Sequence, residues 1–109
     1  MNFDFNINNC SNKEKIKIYK ITSDSFFEIN NQNYNLIYID GSHDLEYITR
    51  DIKNSYNCLE KGGIMWIDDY KGGGPENNNL QKTIDQVLLT LTEPYEIIHK
   101  EYQLAIKKF

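Results

Sequence analysis

Two short apolar runs, each ending in acid, limit what this chain can fold into. The first is Asn35-Leu36-Ile37-Tyr38-Ile39-Asp40 and the second is Gly63-Ile64-Met65-Trp66-Ile67-Asp68-Asp69. A short run of this kind, without polar alternation, suits a strand buried on both faces, as in a parallel sheet. Between the two runs Leu45, Ile48, Ile52, Tyr56 and Leu59 recur at spacings of three and four, which is one face of a helix. Asp44 stands ahead of that face as a cap, and Glu46 and Arg50 lie four apart on its outer side. Gly62 stands just past it, where a left-handed residue ends a helix. Strand, helix and strand in this order predict a right-handed crossover.

The flanking segments extend the pattern. Lys15 to Ile21 alternates lysine with isoleucine and predicts a half-buried strand. Thr22-Ser23-Asp24-Ser25, ahead of Phe26, Phe27 and Ile29, predicts the capped start of a short helix. Tyr70 to Asn79 is a loop of Gly, Pro and Asn. Leu80, Ile84, Val87, Leu88 and Leu91 mark a second amphipathic helix, stopped before Pro94. Tyr95–Ile98 and Leu104–Ile106 predict an antiparallel hairpin. Residues 1–14 are rich in Asn, show no clear period and read as a poorly ordered lead-in, leaving 15–109 as a single domain. The expected class is α/β, with a mostly parallel sheet that closes on a C-terminal hairpin.

Composition narrows the partners. The chain has 109 residues and a net charge of −4, with no basic patch of the kind that neutralises phosphates, so nucleic acid is not expected as a partner. No run approaches the roughly 20 apolar residues that span a bilayer, and no membrane role is expected. Cys10 and Cys58 have no ligand spacing around them and read as free thiols of a reducing, cytoplasmic compartment. The chain holds 14 Asn and 15 Ile but one Ala and one Arg, a bias that A/T-rich codons would produce, so surface Asn and Lys carry little meaning. Nine acids stand against three bases between Asp24 and Asp69, so the middle of the chain is acidic.

Crossover topology puts strand ends on one edge, and in such sheets ligands bind beyond the carboxyl ends. Asp24, Asp40 and the pair Asp68-Asp69 are expected there. Asp40, Asp68 and Asp69 could hold a divalent cation, because magnesium takes oxygen ligands and keeps several waters. Acids at strand ends also cap the helices that follow, and spacing does not choose between these uses. His43 stands three residues after Asp40. It is either a general base near neutral pH or a solvent-facing loop histidine. Gly72-Gly73-Gly74-Pro75 lacks the Lys-Ser/Thr of a phosphate loop and suits a lid or a plain surface loop.

The segments Ile39-Asp40-Gly41-Ser42-His43, Arg50-Asp51-Ile52, Lys61-Gly62-Gly63-Ile64 and Ile67-Asp68-Asp69-Tyr70 form a series. It resembles the C-terminal half of class I S-adenosylmethionine-dependent methyltransferases, in the group with an IDGSH strand end and a GG…DDY strand end. That group is similar to sugar O-methyltransferases and, more distantly, to the catechol type. The resemblance runs from about Lys15 to Phe109. It implies a Rossmann-like fold and methyl transfer to a hydroxyl of a small molecule such as a sugar. It also implies magnesium on Asp40, Asp68 and Asp69, with His43 as base. By the same resemblance Asp24, Ser25, Asp40 and Gly41 contact the cofactor.

One departure stands out. The family's cofactor site opens with a strand, a Gly-rich turn and a helix. The six glycines here are 41, 62, 63, 72, 73 and 74, so this N-terminal βαβ unit is lacking. A truncated or incomplete enzyme is the expectation, completed by a homo-oligomer or a partner chain that fills the sheet. The alternative is an inactive remnant that serves as an interaction module.

Overall fold

The computed structural model describes residues 16–17, 19–40, 44–71, 78–92 and 94–109. Seven elements follow one another: α1 (Ser23–Ile29), β1 (Tyr34–Ile39), α2 (Leu45–Asn57), β2 (Leu59–Ile67), α3 (Asn78–Leu89), β3 (Tyr95–Lys100) and β4 (Leu104–Lys108). The four strands form one sheet in the order β1-β2-β4-β3. β1 and β2 are parallel across the α2 crossover, and β4 runs antiparallel to both β2 and β3. The α/β class and the C-terminal hairpin are therefore as the sequence pattern requires.

α2 starts where Asp44 accepts hydrogen bonds from the N–H groups of Glu46 and Tyr47, at 3.0 and 3.3 Å. Its apolar stripe of Ile48, Ile52 and Tyr56 meets Ile39, Met65 and Ile67 from the strands. Leu80, Ile84 and Leu88 of α3, with Leu104 and Ile106 of β4, join the same core. One continuous core means that both long helices cover the same face of the sheet. At the far end Lys108 is buried, with its Nζ donating to the carbonyls of Tyr56 and Leu59 at 2.9 and 3.0 Å. It also stands 4.7 Å from the centre of the Tyr56 ring. The ammonium thus satisfies backbone oxygens where α2 turns into β2, which an apolar residue could not do.

Several expectations need correction. α2 ends at Asn57, so Gly62 caps no helix and lies inside β2. Its φ of 82° serves an irregularity, since Tyr34 pairs with Leu59 but Leu36 already pairs with Ile64. Gly63 is needed for closeness: a Cβ there would fall 2.8 Å from the Glu60 carbonyl oxygen. Arg50 forms its ion pair with Asp24, with the Glu46 charge also favouring the guanidinium.

The segment around Lys15 to Ile21 is not a strand at its described residues 16, 17 and 19–21. A strand needs a neighbour for its backbone groups, and no described strand lies beside it. β1 is also not buried on both faces. Ile39 is buried, whereas Leu36 and Tyr38 keep 60% and 54% of their surface exposed. The described helices α2 and α3 pack on the opposite face.

Among the described residues no helix is long and apolar enough to cross a membrane. The lead-in 1–14 lies outside the described residues.

Candidate functional site

The parallel ladder carries on to the strand ends, where the Asp68 N–H donates to the Ile39 carbonyl at 2.9 Å. That bond sets Asp40 beside Asp68. One carboxylate oxygen from each of Asp40, Asp68 and Asp69 lies within 4.8 Å of the others. Asp40 is exposed and the other two are half-buried. Asp69 has a φ of 58°, in the left-handed region that few non-glycine residues adopt. Its N–H donates to Asp68 Oδ1 at 2.9 Å, and the Tyr102 hydroxyl donates to its own Oδ1 at 2.5 Å.

Gln103 holds the other acid, with Nε2 donating to Asp68 Oδ1 at 3.0 Å. The Lys71 N–H donates to the Tyr102 carbonyl at 3.2 Å. The turn between β3 and β4 is thus stitched onto the turn that carries the acids. The Gln103 amide is the main reason the Asp68 carboxyl sits below its ordinary pKa, and the Asp69 N–H adds to it. The bond to Asp69 raises the Tyr102 phenol. Tyr70, next in the chain, is buried and its hydroxyl donates to Asp85 Oδ1 of α3 at 2.6 Å. Burial, with Asp85 second, pushes its pKa up to about 12.

Beside the acids an open groove of about 400 Å³ lies between residues 19–23, α1 and the end of β1. Phe26, Phe27 and Tyr38 give it aromatic walls, and Asp40 belongs to both the groove and the acid cluster. Asp51 and Ser55 reach it from α2. Asp51 is a carboxylate only 9% exposed and bonded to Ser23. Burial raises its pKa, and the Ser23 bond opposes that rise.

The structure brings together Asp40, Asp68 and Asp69, but not Asp24. Both Asp24 oxygens engage Arg50, from Nε at 3.2 Å and Nη2 at 3.0 Å. Ser25 belongs to the start of α1, where its N–H donates to Thr22 Oγ1 at 3.2 Å. Thr22 and Ser23 line the groove instead. Gly41 and His43 lie outside the described residues, as do Gly72, Gly73, Gly74 and Pro75. Sequence reasoning gives no site role to Tyr102, Gln103 or Asp51, although Asp51 stands in the motif series. The first two become visible only once β4 is known to lie beside β2. The signals for Asp51 are its place in the Arg50-Asp51-Ile52 segment and its position next to Ile52 on a buried stripe.

A family model described as a methyltransferase domain matches residues 2–70. The chain belongs to this methyltransferase family. It is of the class I type, and the methyl donor of that family is S-adenosylmethionine. The match starts at residue 2, inside the segment read above as a lead-in. Among solved structures the fold is similar to a putative rRNA-methylase from Clostridium thermocellum. The two share 14% identity at a TM-score of 0.64, over 97% of this chain and 71% of that one. No curated protein matches the sequence.

Proposed function

We propose that this methyltransferase chain contributes the acceptor side of an O-methyltransferase that is assisted by a divalent metal. The methyl group would pass from S-adenosylmethionine to a hydroxyl of a small molecule, such as a sugar. The observation that carries the reading is the cluster of three carboxylates at the carboxyl edge of β1 and β2, open to a groove. Oxygens bound about 2.1 Å from one ion stand roughly 3–4 Å apart, so a spread of 4.8 Å needs only small side-chain rotations. The donor set is all oxygen, as magnesium prefers. Asp40, Asp68 and Asp69 would hold the ion, and a bound ion would supply Lewis acidity to an acceptor hydroxyl.

The chain's own residues supply the order. Gln103 and Tyr102 fix the rotamers of Asp68 and Asp69. Asp40 joins the cluster to the groove, where Thr22, Ser23 and the aromatic walls would receive the donor's flat base. Positioning of this kind supplies much of the rate in an in-line transfer. His43 is assigned as the base on the strength of its motif. The net charge of −4 argues against an RNA acceptor of the kind named for the structural neighbour.

The test is a titration of Mn2+ into the chain, followed by electron paramagnetic resonance, with Asp68→Asn beside it. Loss of one ligand should weaken binding about tenfold or more, while the circular dichroism spectrum stays the same. No binding to the unaltered chain, or equal binding by Asp68→Asn, would remove the metal from the proposal. A second reading, an inactive interaction module, is favoured by the exposed Leu36 and Tyr38. It expects a folded chain that binds neither S-adenosylmethionine nor metal.

A further inference from the structure

Asp51 and Ser55 stand four residues apart on α2 and so share one side of it. Ser55 is 2% exposed and Asp51 9%, yet both line the groove between α1, residues 19–23 and the end of β1. A carboxylate in such a place is costly unless donors reach it. Its described side-chain partner is Ser23, at the start of α1. One hydroxyl gives one proton, whereas a carboxylate has about four acceptor sites. The Arg50 guanidinium, next in the chain, is bound to both oxygens of Asp24. Burial therefore lifts the Asp51 pKa, and a donor arriving from the groove would oppose that lift as Ser23 does.

The rest of the groove indicates what kind of molecule brings that donor. Phe26, Phe27 and Tyr38 offer aromatic surface, and Ile37 and Ile39 add apolar surface beside them. The two charged residues of the lining, Asp40 and Asp51, are both acids. A volume of about 400 Å³ suits a small molecule. Apolar walls around a group that can only accept favour a flat ring that carries N–H donors and no negative charge. The aminopurine of S-adenosylmethionine is such a ring. Hypoxanthine, with an oxygen in place of the amine, is not.

We propose that Asp51 is a specificity-determining residue, whose carboxylate accepts a hydrogen bond from the exocyclic amine of the methyl donor's purine base. The inference rests on the seating of that base in the groove, as proposed above, and does not depend on metal at the acids. Ser23 holds the carboxylate from the α1 side, and the amine meets it from the groove. The resemblance casts Asp24 as a cofactor contact, but Arg50 occupies that carboxylate. At Asp51 a base with an oxygen in place of the amine would set acceptor against acceptor. An asparagine can turn its amide to donate, so it should take both bases.

Adenosine and inosine test this, each titrated into the whole chain and followed by proton NMR. The unaltered chain should bind adenosine about tenfold or more tightly than inosine. Asp51→Asn should bring the two affinities within about threefold, mainly by strengthening inosine. A purely structural tie between α1 and α2 would not move that ratio. Ser23→Ala removes the tie but keeps the carboxylate, and should keep the preference. Should Asp51→Asn fail to fold, the unaltered chain decides with the dimethylamino analogue of adenosine, which has the ring but no N–H on its amine. That analogue should bind as weakly as inosine. Equal affinity of the unaltered chain for adenosine and inosine would overturn the inference and leave the seating of the base intact. So would a preference that survives in Asp51→Asn. No binding of adenosine at millimolar concentration would overturn the inference together with the seating of the base.

Discussion

On the helix side of the sheet Met65, Ile67, Leu104 and Ile106 are fully buried, while on the other side Leu36 and Tyr38 leave more than half their surface in water. The first set lies on the inner strands β2 and β4, the second on β1 at the end of the sheet order, and both are apolar. What separates them is the presence of α2 and α3 on one side. Apolar sequence therefore marks what a segment is able to bury, and the neighbours decide what it does bury. Stability in this chain should be concentrated in β2, β4 and the two long helices.

Truncation at matched positions gives the largest effect and breaks the comparison if it fails. Ile67→Ala should lower the unfolding free energy by about 2–5 kcal/mol. Leu36→Ala, on the bare face, should stay within about 0.5 kcal/mol. Urea titrations followed by circular dichroism measure both. Equal losses would mean that the bare face is covered in solution.

Lys108 sharpens the same contrast at the edge of the core. Lys108→Met keeps most of the volume but removes the ammonium that donates to the Tyr56 and Leu59 carbonyls. A loss of about 1–3 kcal/mol is expected, because buried acceptors lose a charged donor and keep part of their desolvation cost. A neutral result in the same urea titration would mean that water reaches these oxygens.

Much of this was legible in the sequence for a physical reason. Leu45 to Tyr56 repeats at helical spacing, Asp44 caps it, and the apolar runs on either side have strand length, so local pattern and global packing agree. Asp40, Asp68 and Asp69 were legible together because crossover topology fixes which strand ends meet. Lys15 to Ile21 failed because alternation reports a capacity for pairing and no described partner strand is present. Asp24 was placed with the other acids because Lys15 to Ile21 reads as a strand that ends there, whereas the position of Arg50 on α2 decided its partner. Tyr102 and Gln103 were hidden because strand order is a long-range property that no local pattern in a hairpin records.

Tyr70 adds a pH dependence to the packed side. Its phenol is held neutral by burial and by Asp85, with a pKa raised from 10.0 to about 12. A group whose pKa is raised on folding gives its full stabilisation below its unfolded value and loses it as pH climbs through the folded one. Stability from Tyr70 should therefore fall between pH 10 and pH 12. Across that window the unaltered chain should lose about 2 kcal/mol more than Tyr70→Phe, a difference in which the lysines cancel. Parallel slopes for the two proteins in chemical denaturation would show that the phenol is not held in this way.

The smallest effect belongs to the exposed side. Arg50 pairs with Asp24 at 3.0 Å, but the two side chains are 44% and 38% exposed. Pairs of this kind contribute about 0–1 kcal/mol and weaken with salt. Arg50→Ala should therefore leave global stability nearly unchanged, with a small further loss for the guanidinium 4.8 Å from the Tyr47 ring. Its local effect should be larger, since α1 has no buried residue and is joined to α2 by this pair. Amides of α1 should exchange faster in Arg50→Ala while those of β2 stay unchanged. The same variant separates two uses of Asp24. If Asp24 only ties α1 to α2, Asp24→Asn and Arg50→Ala should loosen α1 alike, and any loss of S-adenosylmethionine affinity should match in the two. A further loss confined to Asp24→Asn would mean that the carboxylate itself touches the cofactor.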